Sequence, residues 1–420
     1  MRLTLEWLDV RGMRAGPSTR LDGSLLQVNL EELRALLEAD HRLERVRVDL
    51  AHPGDSCRIG RVLDVMAPRA KLDGGEDFPG LLGALARAGS GRTRALAGVA
   101  VVVTDQQPEN AAALALIDMS GPGAALSEFA RTENLVVSGW PAAGTGGSEY
   151  LAAMRLAGLK AAVYLARADG DRAPDRLEVF DLPAPTRVPV AVQHLPRVAY
   201  VFQIHSHQRP TGIDEGILYG DPVRRMLPTV VHPNEVLDGA VVRGFMGRNA
   251  TTYAIQNHPV IRALYAEHGR TLCFVGVVLT VAQATEPERV RSATLAAGLV
   301  TEVLGADGAV FTKMGGGAPH VDIAQAAAQC EAQGVKTTLI VEDMSTDGSS
   351  EGMLLFNNAG LDALVNVGCS REALTLPAVS RVLGADDLAP AFQDALSTSY
   401  TSLCGAIEQV GASRVVAVVQ

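Results

Sequence analysis

From residue 271 the chain repeats one pattern, and that pattern leaves few folds open. Apolar runs, "TLCFVGVVLT" (271–280), "GAVFTK" (308–313), "KTTLIVED" (336–343) and "DALVNVG" (362–368), alternate with helical stretches. The helices are "EPERVRSATLAAGLVTEVLG" (286–305), "DIAQAAAQCEAQG" (322–334) and "EGMLLFNNAG" (351–360), each ending on glycine, the residue that closes a helix in a left-handed conformation with least strain. Strands separated by helices of this length pair in parallel, through right-handed crossovers. The expectation is an α/β fold whose residues 271–420 form a doubly wound parallel sheet. Ligands bind such sheets outside the carboxyl ends of the strands. Here those ends are Thr280, the Lys313–Gly317 loop, Glu342–Ser350 and Gly368–Ser370.

The first part reads as mixed β with short helices. "LLQVNLEELRALLEAD" (25–40) predicts a strand and then a helix capped by Asn29, before Glu31 and Glu32. "RVRVDLA" (45–51) alternates as a half-buried strand does. "ALAGVAVVVTD" (95–105) reads as one continuous strand buried on both faces, and "ENLVVSGWP" (133–141) as another. "SEYLAAMRLAGLKAAVYLAR" (148–167) reads as a helix, a break at Gly158, and a strand. Residues 170–196, rich in Asp, Arg and Pro, read as a surface connection. The organisation expected is a mixed-β N-terminal domain (1–196), a central His-rich segment contributing to the site (197–270), and the βαβ domain (271–420).

A net charge of −10 and the lack of a basic stripe argue against nucleic acid as a partner. Cysteines 57, 273, 330, 369 and 404 are scattered without a CxxC pair, so neither a disulfide framework nor a thiolate zinc site is signalled. No run reaches about 18 apolar residues, and the first residues carry charges too early for a signal peptide. A reduced cytoplasmic protein without a membrane segment is expected, binding a small molecule and assembling as an oligomer.

Three stretches carry candidate chemistry. In "YVFQIHSHQRPTGIDEG" (200–216), His205 and His207 share a face if the strand continues through them. Together with His232 and Glu235 they could hold a divalent metal, zinc or iron, or they could contact substrate directly. In "KMGGGAPHVD" (313–322), Gly316 and Gly317 allow close backbone approach to an anionic substrate, with His320 beside them. The stretch is neither a Walker loop nor a dinucleotide fingerprint. In "VEDMSTDGSSEG" (341–352), Asp343 is a candidate acid or base, and Ser349 a substrate contact or helix cap. Cys369, at a strand end, reads more readily as an inert thiol than as a nucleophile.

Six stretches together carry a family resemblance: "GSGRTRALAGVAVV" (89–102), "IDMSGPGA" (117–124), "AGLKAAVYL" (157–165), "HPNEVLDGAVV" (232–242), "NATTYAIQNHPVIRALYAEHG" (249–269) and "FVGVVLT" (274–280). They resemble the proprotein subunit of component B of glycine, sarcosine and betaine reductases, related also to the D-proline reductase proprotein. The resemblance runs in order from about residue 1 to about residue 384. It implies a substrate-activating subunit. In the glycine enzyme the proprotein is cleaved at a cysteine that becomes a pyruvoyl group, whose carbonyl forms a Schiff base with the substrate amine. A second subunit then attacks carbon with a selenol or thiol, and the C–N bond breaks.

Here the sequence departs from the family pattern. The cleavage cysteine is expected shortly after "LDGAVV", but "RGFMGRNATTY" (243–253) holds neither Cys nor Ser, and Thr251 would give a ketobutyryl group at best. A pyruvoyl group is therefore not expected. Either a metal at His205 and His207 takes over polarisation, or a pocket of Arg243, Arg248, Asn249 and Tyr253 holds a substrate carboxylate. Three readings stay open. The chain could be a substrate-activating subunit working with a second component-B-like subunit that supplies the thiol or selenol. It could be a self-contained metal-dependent lyase or hydrolase, or a non-catalytic scaffold subunit.

Overall fold

The computed structural model describes residues 1–107, 115–168, 172–206, 215–244, 250–343, 361–411 and 416–419. In the first half, β1 (Arg2–Asp9), α1 (Leu30–Glu38), β2 (Leu43–Ala51), β3 (Cys57–Ile59), β4 (Val62–Met66), β5 (Arg69–Asp73), β6 (Gly91–Ala97), β7 (Val99–Asp105), β8 (Glu133–Pro141), α2 (Gly147–Ala166) and β9 (Arg176–Asp181) follow in order. Two mixed four-stranded sheets result, ordered β9-β1-β6-β5 and β2-β8-β7-β4. In each, a central parallel pair lies between antiparallel neighbours. Asn29 caps α1 as expected, its side chain accepting the N–H of Glu32.

Two sequence expectations fail here for one reason, the close approach of backbones. The apolar run 95–105 is two strands in two different sheets, divided at Gly98. Gly98 has φ +80°, and a Cβ there would lie 2.3 Å from the Val10 carbonyl oxygen. Only glycine turns the chain at that point. Residues 148–167 do not change from helix to strand at Gly158; α2 runs unbroken through it. A Cβ at Gly158 would meet Val103 Cγ2 at 2.4 Å, so this glycine serves the contact of helix with sheet rather than a break.

In the second half, β10 (Arg197–Ser206), β11 (Thr229–Val231), α3 (Pro233–Leu237), α4 (Thr252–Gln256), α5 (Pro259–Glu267), β12 (Cys273–Ala282), α6 (Glu286–Gly298), β13 (Gly308–Thr312), α7 (Ala318–Glu331), β14 (Lys336–Asp343), β15 (Ala363–Cys369), β16 (Arg381–Leu383) and β17 (Val416–Val419) follow. A seven-stranded sheet is ordered β11-β12-β10-β13-β14-β15-β17. Its five inner strands are parallel, and both edges are antiparallel. The helix expected at 351–360 lies outside the described residues. Alternate side chains of β10 face opposite layers. Tyr200, Phe202 and Ile204 pack with α3, α4 and α5, whereas Ala199 and Val201 pack with α6 and α7. Helices thus cover both faces, as a doubly wound sheet requires.

The sheet begins at Arg197, earlier than the expected boundary at 270/271, because β10 and β12 are hydrogen-bonded neighbours. After β15 the chain returns to the first half. There β16 pairs in parallel with β3, and Leu403 bridges to Leu116. The buried Arg58 side chain ties this return segment down through the carbonyls of Pro377, Phe392 and Asp394.

Candidate functional site

Read in chain order, the five parallel strands are arranged 2-1-3-4-5, with the first strand, β10, in second place. The chain runs from β10 to β12 on one side, then crosses to β13 on the other. Folds of this kind bind ligands at that switch, outside the carboxyl ends that β10 and β13 supply here. His205 and Ser206 end β10, and Lys313 follows β13. A Cβ on Gly315 would lie 3.7 Å from Ser206 Cβ, so the glycine loop abuts the end of β10. Glu342 and Asp343 end the next strand, β14, and the Asp343 carbonyl accepts the Ser370 N–H at 3.1 Å from beyond β15.

The glycine loop is held from two sides. Lys313 is fully buried; its Nζ donates to the Gly315 carbonyl at 2.6 Å and stands 3.9 Å from the Glu342 carboxylate. Burial lowers its pKa to about 8, only partly offset by Glu342. The Gly315 N–H donates to Gln409 Oε1 at 2.6 Å, so the return segment reaches into the loop. Gly317, at φ +81°, starts α7. His320, in the first turn, is 1% exposed, and the Glu342 main chain lies against its ring without closing a hydrogen bond to either nitrogen. Burial first, then the Lys313 charge, drives its pKa down to about 2, so the ring is neutral.

Next to this loop lies a buried charged layer. Arg243 donates to the Leu63 carbonyl, and its charge faces the Asp64 and Glu408 carboxyls. Burial and the neighbouring acids raise Glu408 to about 8. Arg243 is thus a fully buried residue, not a solvated loop charge. Behind β10, Tyr200 joins His258 Nε2 at 3.0 Å to Thr312 Oγ1.

The register of β10 slips between Gln203 and His205, so simple alternation does not carry through the strand end. His205 packs against Gly244, where a Cβ would sit 2.8 Å from its Nδ1. His207, Arg248, Asn249 and Ser349 lie outside the described residues. Tyr253 packs edge-on to Phe129, away from the glycine loop, and burial pushes its phenol up to about 12. The three described metal candidates, His205, His232 and Glu235, do not converge. β11 runs antiparallel to β12 with Val231 opposite Val277, so His232 emerges at the amino ends of the parallel strands. His205, opposite Val281, sits at the carboxyl ends, roughly 15 Å away along the strands. Moreover, His232 Nδ1 accepts the Asn234 N–H, its Nε2 meets the Leu182 carbonyl, and Glu235 caps α3 and binds Tyr219. Among the described residues no three His, Cys, Asp or Glu side chains group as a metal site. Sequence reasoning marked the loop that Lys313 begins without giving its side chain a role, and it missed Glu408 and Gln409. For the last two no local signal existed, because tertiary contact alone brings the return segment to the loop.

The family described as glycine/sarcosine/betaine reductase component B subunits matches residues 1–410. The chain belongs to this family. The glycine reductase complex component B subunits alpha and beta of Acetoanaerobium sticklandii are 31% identical over 435 residues, covering 99% of each chain. The sarcosine reductase complex component B subunit alpha of Peptoclostridium acidaminophilum is 34% identical over 394 residues, 91% of this chain and 89% of that one. The betaine reductase complex component B subunit alpha of the same organism is 33% identical over 408 residues, 95% and 91% of the two chains. No solved structure matches.

Within this component B chain, residues 243–251 hold neither Cys nor Ser. The two threonines that follow Ala250 are buried and engaged. Thr251 Oγ1 accepts the Ala254 N–H and donates to Glu408 at 3.5 Å, whereas Thr252 Oγ1 donates to Asp64 at 2.5 Å. No helix among the described residues is long and apolar enough to cross a membrane.

Proposed function

We propose that this chain is a substrate-activating subunit of the component B type, acting on a small amine- or carboxylate-bearing compound without a pyruvoyl group. The observation that carries the reading is the match to component B subunits along nearly the whole chain. It is supported by the polar groups at the topological switch point. The Gly315–Gly317 loop and the start of α7 suit a carboxylate, and Glu342 with Asp343 suit an ammonium. The residues at 243–251 do not fit a pyruvoyl group. No Cys or Ser is there to form one, and Thr251 is committed as a helix cap.

The electron-rich sulfur comes from a second component-B-like subunit. Four of the five cysteines, Cys57, Cys273, Cys330 and Cys404, are buried and have their pKa raised by burial, the reverse of what an attacking thiolate needs, and the fifth, Cys369, ends β15 half-buried. This chain's residues then bind and orient the substrate and exclude water while the partner attacks carbon.

Two measurements test this reading. Intact mass should show one uncleaved chain of 44.1 kDa. The chain should also co-purify with a second component B subunit when the two are co-expressed. Two fragments by mass, or full turnover by the chain alone, refutes the proposal.

A further inference from the structure

The chain contains 37 Lys and Arg residues, of which 33 are Arg and only four are Lys: Lys71, Lys160, Lys313 and Lys336. Arginine is the default cation of this protein, including at buried positions such as Arg58 and Arg243. Lys313 is nevertheless a lysine, fully buried, at the carboxyl end of the third strand beside the topological switch. Structure alone gives it little return. It makes one hydrogen bond, to the Gly315 carbonyl two residues on, and its 3.9 Å approach to Glu342 is too long for a hydrogen-bonded pair. A buried ammonium so weakly compensated is costly. What lysine has and arginine lacks is an amine that can be deprotonated and act as a nucleophile.

The surroundings suit that chemistry. His320, buried in the first turn of α7 with both ring nitrogens outside any hydrogen bond, is an orphaned polar group beside the same strand end. A neutral imidazole can carry a proton to or from a carbonyl oxygen. α7, a helix of 14 residues whose N-cap is a glycine without a side-chain cap, presents the Ala318 N–H to an anion at its start, Pro319 having none and that of His320 donating to the Gly317 carbonyl at 3.0 Å. The Glu342 carboxylate can balance a cation formed at Nζ.

We propose that Lys313 forms a protonated imine with the carbonyl carbon of a small 2-oxo acid, whose carboxylate sits at the start of α7. Lys313 Nζ adds to the carbonyl carbon, and the carbonyl oxygen takes up a proton to give a carbinolamine. The C–O bond then breaks, water leaves, and the iminium remains. Starting from the ammonium and the ketone, the products are iminium and water, with no oxidant or reductant needed. The polarity is the reverse of a protein-borne carbonyl condensing with a substrate amine: the protein supplies nitrogen and the substrate supplies carbon. The lowered pKa of Lys313 supports the step. At pH 7.5 about a quarter of its side chains carry the free amine, against about one in a thousand for an ordinary lysine.

The test uses the full chain with pyruvate or glyoxylate and cyanoborohydride, which reduces an iminium to a stable secondary amine. Peptide mapping should place the adduct on Lys313 about two hundredfold faster than on Lys336, following the free-amine ratio. Lys313→Met, with helix content and melting checked, should lose that adduct and keep the slow background. No adduct on Lys313, or equal labelling of all four lysines, overturns the proposal. The experiment needs no partner subunit, so its failure leaves the co-purification test of the proposed function untouched.

Discussion

Replacing Asp118 by Asn removes one negative charge from a place where water cannot make good the loss. Arg58 and Asp118 are both fully buried, and the guanidinium donates to Asp118 Oδ1 at 2.6 Å and Oδ2 at 3.3 Å. Its remaining donors reach the carbonyls of Phe392, Asp394 (3.1 Å) and Pro377 (2.8 Å), which fixes the return segment against the first half of the molecule. At an effective dielectric of about 20, two charges 2.6 Å apart attract by roughly 6 kcal/mol, an upper bound on the loss. Breaking a buried pair on one side costs about 3–5 kcal/mol. The three carbonyl bonds survive in Asp118→Asn, so about 3 kcal/mol is expected. The double variant Arg58→Met/Asp118→Leu removes both charges and should recover at least about half of that. Trp7 in β1 and Trp140 in β8 both report on the first half, so urea unfolding followed by tryptophan fluorescence reads the effect. Limited proteolysis should show earlier cutting within 371–411 in Asp118→Asn. Gln409 in that segment holds the Gly315 N–H, so substrate affinity should fall as well. If Asp118→Asn stays within about 1 kcal/mol of the parent, or the double variant is worse than the single, the buried-charge argument is wrong.

Gly98→Ala forces a left-handed alanine, at about 1–2 kcal/mol, and drives its Cβ into the Val10 carbonyl; about 3 kcal/mol in all is expected. Gly54→Ala, at φ +86° with nothing within 4 Å of the new Cβ, should cost only about 1 kcal/mol, and equal melting shifts for the two would contradict the steric account. Tyr200→Phe leaves His258 Nε2 and Thr312 Oγ1 without their shared partner in the core and should cost about 1–3 kcal/mol by chemical denaturation. Glu408, raised to about 8 by burial, binds its proton more tightly when folded than unfolded. Its contribution is therefore complete below about pH 4.5 and is lost as pH rises towards 8. Glu408→Gln should flatten the fall in stability between pH 6 and 8, and an unchanged slope would place the charge elsewhere.

The βαβ alternation after residue 271 was readable because its determinants are local. Apolar runs of strand length, helices of crossover length and a glycine after each helix need no knowledge of distant contacts. Asn29 as a helix cap and the strand at 133–141 were legible on the same ground. The placement of a site at the strand ends also followed from the pattern, since parallel strands direct their loops to one edge. Gly98 and Gly158 were misread because a glycine announces close approach without saying to what; Val10 and Val103, far away in sequence, decide it.

Sequence by itself therefore determined the element types from 271 to 343 and the strand at 362–368, the identity of the loops at their carboxyl edge, and the lack of Cys or Ser where the resemblance implies a carbonyl-forming residue. Tertiary structure alone decided which residues meet. It sent His232 and His205 to opposite ends of one sheet, because an edge strand between them runs antiparallel. It carried Glu408 and Gln409 back across the molecule to Arg243 and Gly315. It also withdrew Lys313 from water, and that withdrawal, a property of the packed surroundings rather than of the residue, turns an ordinary cation into a candidate amine nucleophile.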